Sequence, residues 1–324
     1  MIRTTFQKLS LPCLSLKKCE MDSLKLMKCI KGCVPPLDGG SHKGQAGRIG
    51  IIGGSLEYTG APYFAGISAL KVGADLVHIF CASPAATVIK SYSPELIVHP
   101  LLDQPNATNE ISPWLDRLHA VVIGPGLGRD KQTFEVVSEL INVMRQKCIP
   151  LIIDADGLFL ITENPHLIKD YPLPGVILTP NKIEFERLQA KLIGSYGHVD
   201  LSQLGGHVSI LGKGQTDEFF SGCAEVQWQN GTGGSGRRCG GQGDLLSGTI
   251  ATFLHWTLNN KDLVADAEME NVDKSTLAAS LSCYAASSMI RLCNQKAFQL
   301  KGRSMLATDM IDHIHDSFEE LFGQ

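Results

Sequence analysis

The chain has 324 residues, 44% of them hydrophobic and 19% charged, with a formal net charge of −4. That balance suits a globular α/β protein with a sizeable core and excludes a nucleic-acid binder built on a dominant basic surface. No apolar run reaches membrane-spanning length, and the ten cysteines follow no regular spacing, so they read as reduced thiols rather than a disulfide framework.

Residues 1–41 differ from the remainder. No acid precedes Glu20, while Arg3, Lys8, Lys17 and Lys18 stand among Ser, Thr and Leu. This is the composition of a transit peptide and gives a mitochondrial expectation, with a cytoplasmic location as the alternative. The competing reading is a disordered leader without function. Residues 42–324 are expected to form a single domain, since no Pro/Gly/Ser linker divides them.

From Arg48 an alternation begins. Residues 48–53 are a short apolar run ending in Gly-Gly, the pattern of a buried strand and a loop. A helix is predicted over 62–72, with Pro62 in its first turn and Gly73 as its cap. A strand (76–81), a helix (84–90) and strands at 96–99 and 120–124 follow. The last leads into Gly124-Pro125-Gly126-Leu127-Gly128, then an amphipathic helix over 132–146. Strands at 151–154 and 176–179 end in Asp154-Ala155-Asp156-Gly157 and Pro180-Asn181, and a charged helix runs through Arg187. Strands alternating with helices imply a mainly parallel sheet covered on both faces, with ligands beyond the strands' carboxyl ends. Beyond Gly205, short antiparallel strands are expected at 208–211, 218–220 and 225–228, then a loop over 230–240. Helices are expected at 245–258, 277–295 and 309–322, with residues 261–274 as an exposed loop.

The segment Arg237-Arg238-Cys239-Gly240-Gly241-Gln242-Gly243-Asp244 runs a glycine-rich, dibasic loop into an apolar helix with one carboxylate at the junction. Glycine lets backbone N–H groups approach an anion, and the helix N-terminus adds partial positive charge. Asp244 is expected to be ionised there and placed to take a proton from a substrate hydroxyl. The competing role for Asp244 is a helix cap. A P-loop is excluded because no Gly-Lys pair precedes Ser or Thr, and a dinucleotide fingerprint because Gly241-Gln242-Gly243 is followed by Asp-Leu-Leu.

Ordered motifs extend this reading. They are His42-Lys43-Gly44-Gln45 with Arg48, Gly53-Gly54, Tyr58–Pro62, Ala69–Ala74, Ser93-Pro94-Glu95, Gly124–Gly128, Asp154–Gly157, Leu178–Asn181, Glu184-Phe185, Lys213-Gly214 with Asp217, and Gly240–Asp244. As a set the chain resembles the ATP-dependent NAD(P)H-hydrate dehydratases, a branch of the ribokinase-like superfamily. The resemblance implies a three-layer α/β/α fold and a reaction in which ATP drives water out of the S form of hydrated NADH or NADPH. It implies ATP and Mg²⁺ as co-substrate and cofactor, small-molecule partners only, and allows a homo-oligomer. A ribokinase-like vitamin or sugar kinase, which keeps the phosphate on its product, is the alternative. A nucleotide sensor on the same fold has no need of a base.

By the same resemblance Asp244 is the catalytic base. Gly126, Asn181, Lys182, Ile183, Glu184, Phe185, Glu186 and Arg187 would contact the hydrated dinucleotide together with Asp244. Relatives often carry His where this chain has Lys182. Lys213, Gly214, Gln215, Thr216 and Asp217 form one ATP segment. Gly234, Ser235, Gly236, Arg237, Arg238, Cys239, Gly240, Gly241, Gln242 and Gly243 form the other. One of the two arginines is expected on the nucleotide and its neighbour on the surface. Glu184 and Arg187 stand three apart on a helix, the spacing of an ion pair. Tyr58 is a candidate for stacking on a ring. Asp154 and Asp156 are candidates for metal contact through water or for helix capping, and metal ligands are left open.

Overall fold

A computed structural model describes residues 22–40, 42–193, 201, 203–222, 226–267 and 272–323. In chain order the main elements are α1 (Ser23–Cys33), β1 (Arg48–Ile52), α2 (Gly60–Val72), β2 (Leu76–Cys81), α3 (Ser83–Tyr92), β3 (Ile97–Pro100) and α4 (Ala107–Leu115). There follow β4 (Ala120–Ile123), α5 (Lys131–Gln146), β5 (Leu151–Ile153), α6 (Ala155–Glu163), β6 (Val176–Leu178) and α7 (Lys182–Leu188). The remainder holds β7 (Val208–Gly212), β8 (Asp217–Ser221), β9 (Trp228–Asn230), α8 (Gln242–Asn259), α9 (Leu263–Asp266), α10 (Lys274–Lys301), α11 (Ala307–Ile311) and α12 (Ile314–Phe322).

The strands make one sheet in the order β3-β2-β1-β4-β5-β6-β7-β8-β9, parallel through β7 and antiparallel in β8 and β9. Strands buried on both faces read as continuous apolar runs, which is why Arg48-Ile-Gly-Ile-Ile and Ala120-Val-Val-Ile carry no polar alternation. Successive side chains enter opposite cores. Ile49 and Ile51 join the cluster with α1, α2, α8 and α10, while Ile52 joins the cluster with α4, α5 and α6. The result is the three-layer α/β/α arrangement. Strand order reverses between β1 and β4, the switch point at which such sheets open a crevice at their carboxyl edge. Among the described residues no helix is long and apolar enough to cross a membrane.

Several elements differ from expectation. The folded unit begins before residue 42: α1 carries Asp22 as its N-cap and buries Leu26, Cys29, Ile30 and Cys33 against the sheet-covering helices. Leu26, Cys29, Ile30 and Cys33 recur at helical spacing, a local signal masked by the basic leader composition before Glu20, and tertiary burial secures the helix. Residues 1–21 lie outside the described residues. Asp154–Gly157 is not a loop, because α6 starts at Ala155, directly after the strand. The 261–274 segment is not wholly exposed: α9 lies in it, with Leu263 and Ala267 buried. The last predicted helix is two, α11 and α12. Helix α4, short and interrupted by Pro113, had no sequence expectation, and β9 begins three residues after the predicted start.

Candidate active site

The loops at the carboxyl edge are stitched together by one backbone hydrogen bond after another. Gly54 N donates to Gly126 O (3.1 Å), Gly124 N to Ile52 O (3.0 Å) and Asp154 N to Ile123 O (3.0 Å). Thr179 N donates to Ile153 O (3.1 Å) and Lys213 N to Pro180 O (2.8 Å). Residues scattered over 160 positions of sequence are thereby brought to one rim. Gly126 has φ +61, and a Cβ there would stand 2.5 Å from the Tyr58 carbonyl oxygen, so neither backbone nor space accepts a side chain. The Tyr58 ring itself is exposed rather than part of the core.

Asp244 lies in the first turn of α8, whose N-cap is Gly241 at φ +94. A Cβ on Gly241 would press to 2.7 Å on Ala307 and 2.8 Å on Phe64. The turn therefore needs glycine for its backbone angle and for close packing alike. Beneath the turn sits a buried ion pair, Lys213 Nζ to Asp154 Oδ1 at 2.7 Å. A Cβ on Gly243 would come within 3.1 Å of that Nζ. Asp154 also accepts the Ala155 N–H at 2.9 Å, so it caps α6 and binds the lysine with the same oxygen.

The electrostatics of this cluster correct one expectation. Asp244 is not held as a comfortable anion: burial, and then the Asp154 carboxylate, push its pKa up to about 7. Lys213, its own backbone hydrogen bond and the helix terminus oppose the rise without cancelling it. Burial works against the charge on Lys213, but Asp154, Glu184 and Asp244 outweigh it and raise the ammonium's pKa. Burial also raises Glu184, against the pull of Lys213. The site thus holds a permanent cation among three carboxylates, one of which titrates near neutrality. That is the range in which a general base works best.

The segment expected to contact the dinucleotide forms α7 with its cap. Asn181 Oδ1 accepts from Ile183 N (3.0 Å) and Glu184 N (3.1 Å), while Glu184 Oε2 accepts from Asn181 N (2.8 Å), a reciprocal capping box. Glu184 is turned back to the backbone rather than out to Arg187, so the ion-pair spacing is not used as such. Lys182, Ile183, Glu186 and Arg187 are exposed, and Phe185 is half-buried beside Phe220.

The two segments expected to hold ATP meet at a residue that sequence reasoning missed. Arg291 of α10 donates to the carbonyls of Gln215 (2.6 Å), Thr232 (3.0 Å), Gly231 (3.2 Å) and Gly233 (3.3 Å), and Gly234 N donates back to its carbonyl at 2.9 Å. A basic residue past the middle of a long helix that also carries Lys296 and Lys301 offered no distinguishing signal. Asp217 serves the same frame: it is buried, accepts from Gly214 N (3.0 Å) and Ser287 Oγ (2.7 Å), and stands 3.5 Å from Arg291. It shapes the turn that presents Gly214 to Thr216 instead of projecting outward. Arg238 is exposed, whereas Arg237 is half-buried with an Nε that has no hydrogen-bond partner. Gln242 donates to Arg237 O and Cys239 Sγ, and Ser235 Oγ accepts from Arg237 N. Cβ atoms on Gly236 and Gly240 would meet nothing within 4 Å, leaving that stretch of backbone open.

Among the described residues no group of three or more His, Cys, Asp or Glu side chains is arranged to hold a metal ion. Asp154 is committed to Lys213, and Asp156 accepts from Gly128 N (3.1 Å) and Arg129 Nε (2.9 Å). The donor set fits a divalent ion carried on phosphates, the usual habit of Mg²⁺, better than an ion held in a protein cage.

Comparison with known proteins identifies the family. The family model for NAD(P)H-hydrate dehydratase matches residues 49–315. The ATP-dependent (S)-NAD(P)H-hydrate dehydratase of Aedes aegypti is 54% identical over 92% of this chain and 85% of its own length. The enzyme of the same name from Homo sapiens is 48% identical over 95% and 88% respectively. In fold the chain is similar to a hypothetical protein from Streptococcus mutans (TM-score 0.73, 24% identity, 94% of this chain and 99% of that one). It is also similar to a ribokinase-like superfamily protein from Enterococcus faecalis (TM-score 0.69, 21% identity, 92% and 95%). The Bacillus subtilis ADP/ATP-dependent NAD(P)H-hydrate dehydratase co-crystallised with ATP/Mg²⁺ aligns at TM-score 0.62 with 20% identity, over 90% and 96%. With the ribokinase-like sheet, the glycine-rich turn and the ordered motifs all in place, the chain belongs to the NAD(P)H-hydrate dehydratase family.

Proposed function

We propose that the protein removes water from the S form of hydrated NADH or NADPH at the expense of ATP, restoring the reduced dinucleotide and releasing ADP and phosphate. The observation that carries this reading is Asp244, a carboxylate with a pKa pushed up to about 7 at the mouth of a glycine-rich helix N-terminus. Membership of the family supplies the substrate class.

The chemistry follows from a poor leaving group. A ring carbon beside the nitrogen does not lose hydroxide readily. Asp244 takes the hydroxyl proton as that oxygen attacks the γ-phosphoryl of ATP, and the O–P bond to ADP breaks. The resulting phosphate ester leaves as phosphate, driven by the ring nitrogen's electron pair. The neighbouring carbon then sheds a proton and the double bond returns. Positioning and electrostatics carry most of such a transfer. The backbone of Gly236–Gly243 and the unsatisfied Arg237 Nε supply donors for phosphate. Lys213 keeps its charge beneath them and offsets the anionic crowd. Mg²⁺ brought in on ATP would neutralise charge on the phosphates.

The test is the rise in reduced-nicotinamide absorbance when the protein meets hydrated NADH, ATP and magnesium. An ATP-dependent rise that Asp244→Asn abolishes establishes the reaction and its base. ADP formed with phosphate left on another hydroxyl compound, and no absorbance change, would assign a kinase instead. A mitochondrial location is part of the same proposal, supported by the acid-free basic composition before Glu20, with the cytoplasm as its alternative. Cell fractionation decides between them.

A further inference from the structure

A cavity of about 200 Å³ lies between α6 and α7 and reaches the catalytic cluster at Glu184 and Ala155. Apart from Ala155, Glu184 and Arg187 its walls come from residues that no sequence motif singled out. The Arg129 guanidinium lies 4.3 Å from the centre of the Phe159 ring, held there by its hydrogen bond to Asp156. Lys191 stands at the rim, paired with Glu163, both about half exposed.

Two features narrow what this cavity accepts. Its volume falls below the ~300–1,000 Å³ of sites that enclose a whole ligand, so it takes one end of an extended molecule. Its chemistry is a flat aromatic face, a guanidinium plane over it, and Arg187 and Lys191 at the edge. That combination suits a base that stacks and a phosphate beside it. The reacting ring must sit at Asp244, and the cavity opens at Glu184, whose charge is felt by both Lys213 and Asp244. An extended dinucleotide with its reacting ring at one place therefore has its opposite half at the other.

Building on the function proposed above, we propose that Arg129, Phe159 and Lys191 form the subsite for the adenosine-phosphate half of the hydrated dinucleotide. The base stacks on the outer plane of Arg129, which Phe159 backs. Arg187 and Lys191 hold its phosphate, which displaces Glu163 from Lys191.

The experiment compares hydrated NADH with hydrated reduced nicotinamide mononucleotide, which lacks the adenosine half, at saturating ATP. Wild type, Phe159→Leu and Lys191→Ala are measured, with a melting temperature for each. The subsite requires Phe159→Leu to raise KM for hydrated NADH about tenfold, near the lower part of the range for one lost stacked base, and Lys191→Ala to raise it about threefold to fivefold through a lost phosphate contact at the surface. It also requires kcat to change by less than about twofold and KM for the mononucleotide to stay put. Equal changes for both substrates, or no change for either, overturn it. Lys191 is at the surface, so its variant decides the matter should Phe159→Leu fail to fold. If wild type does not dehydrate hydrated NADH at all, the function proposed above falls first and takes the subsite with it. Turnover by wild type with unmoved variants sinks the subsite alone.

Discussion

Helix α8 carries a buried titratable cluster at each end, and the two are resolved in opposite ways. At its N-terminus Asp244 faces Asp154, Glu184 and Lys213. Near its C-terminus His255 stacks on His119 with ring centres 4.1 Å apart and planes 10° from parallel. The helix dipole favours an anion at the first end and a cation at the second. Burial opposes both, and in both it wins: Asp244 rises to about 7, while His119 falls to about 4 through burial and then the neighbouring His255 and Arg48. The difference lies in what the neutral form finds. Neutral His255 donates from Nε2 to Gln45 O (2.8 Å) and accepts from Asn259 at Nδ1, and His119 Nδ1 accepts from Arg48 N. At physiological pH this end is settled. It fastens the 44–48 segment, which also ties Gly44 and Ala46 to Asp75. A cavity of about 410 Å³ lies there, twice the volume of the one beside α7, yet no unresolved carboxylate stands in it. Cavity size does not locate chemistry; an ionisable group left between two states does.

The largest expected effect is at the catalytic end. Asp244→Asn should lower kcat about 10²–10⁴-fold, the usual worth of a general base. The same change should raise the melting temperature above pH 7. A carboxylate with a raised folded pKa stabilises below its unfolded pKa and loses that contribution as pH climbs through about 7. A variant that is both inactive and less stable at pH 8 would mean Asp244 is chiefly a cap.

The next effect tests how far the settled end extends. Asn260, just beyond α8, donates to Gly32 O, and α1 buries Leu26 and Ile30 completely. Removing residues 1–33 should cost several kcal/mol, at ~1.5–3 kcal/mol for each such side chain, whereas removing 1–21 should spare that packing. Chemical denaturation of the two truncated chains makes the comparison. Equal stability would place α1 outside the fold's energetics.

A subtler measurement reads the charges around Asp244. The base must be ionised, so kcat/KM should fall as pH drops below about 7. Lys213 lowers the Asp244 pKa and Asp154 raises it. Lys213→Met should therefore move the limb to higher pH, and Asp154→Asn to lower pH. Shifts of the same sign would refute the cluster as described. The smallest effect belongs to the histidines. A lowered folded pKa means stability is complete above the unfolded value of about 6.5 and is lost as pH falls through about 4. His119→Gln should flatten that acid loss in melting-temperature profiles without moving the kcat/KM limb.

Much of this was legible in the residues themselves. Apolar runs such as Arg48–Ile52, followed by glycine loops, specify parallel strands and the edge at which their loops meet, because alternation of period is a local property of sequence. The capping box of Asn181 and Glu184 is equally local. The glycine-rich turn before Asp244 announces a backbone that must approach something closely. Other properties were out of reach. The state of Asp244 depends on Asp154, Glu184 and Lys213, which lie 90, 60 and 31 positions away and meet it only through the sheet. Arg291 joins the 213–217 and 231–234 segments across more than 50 residues. Helix α1 carries an apolar stripe at 26, 29, 30 and 33, but its membership of the core is decided by the helices that cover it. The sequence by itself determined which elements form and where their ends gather, since both follow from short-range periodicity and turn chemistry. Only the tertiary structure decided which charges face one another, because burial and distance between remote residues set a pKa, and neither is written in neighbouring positions.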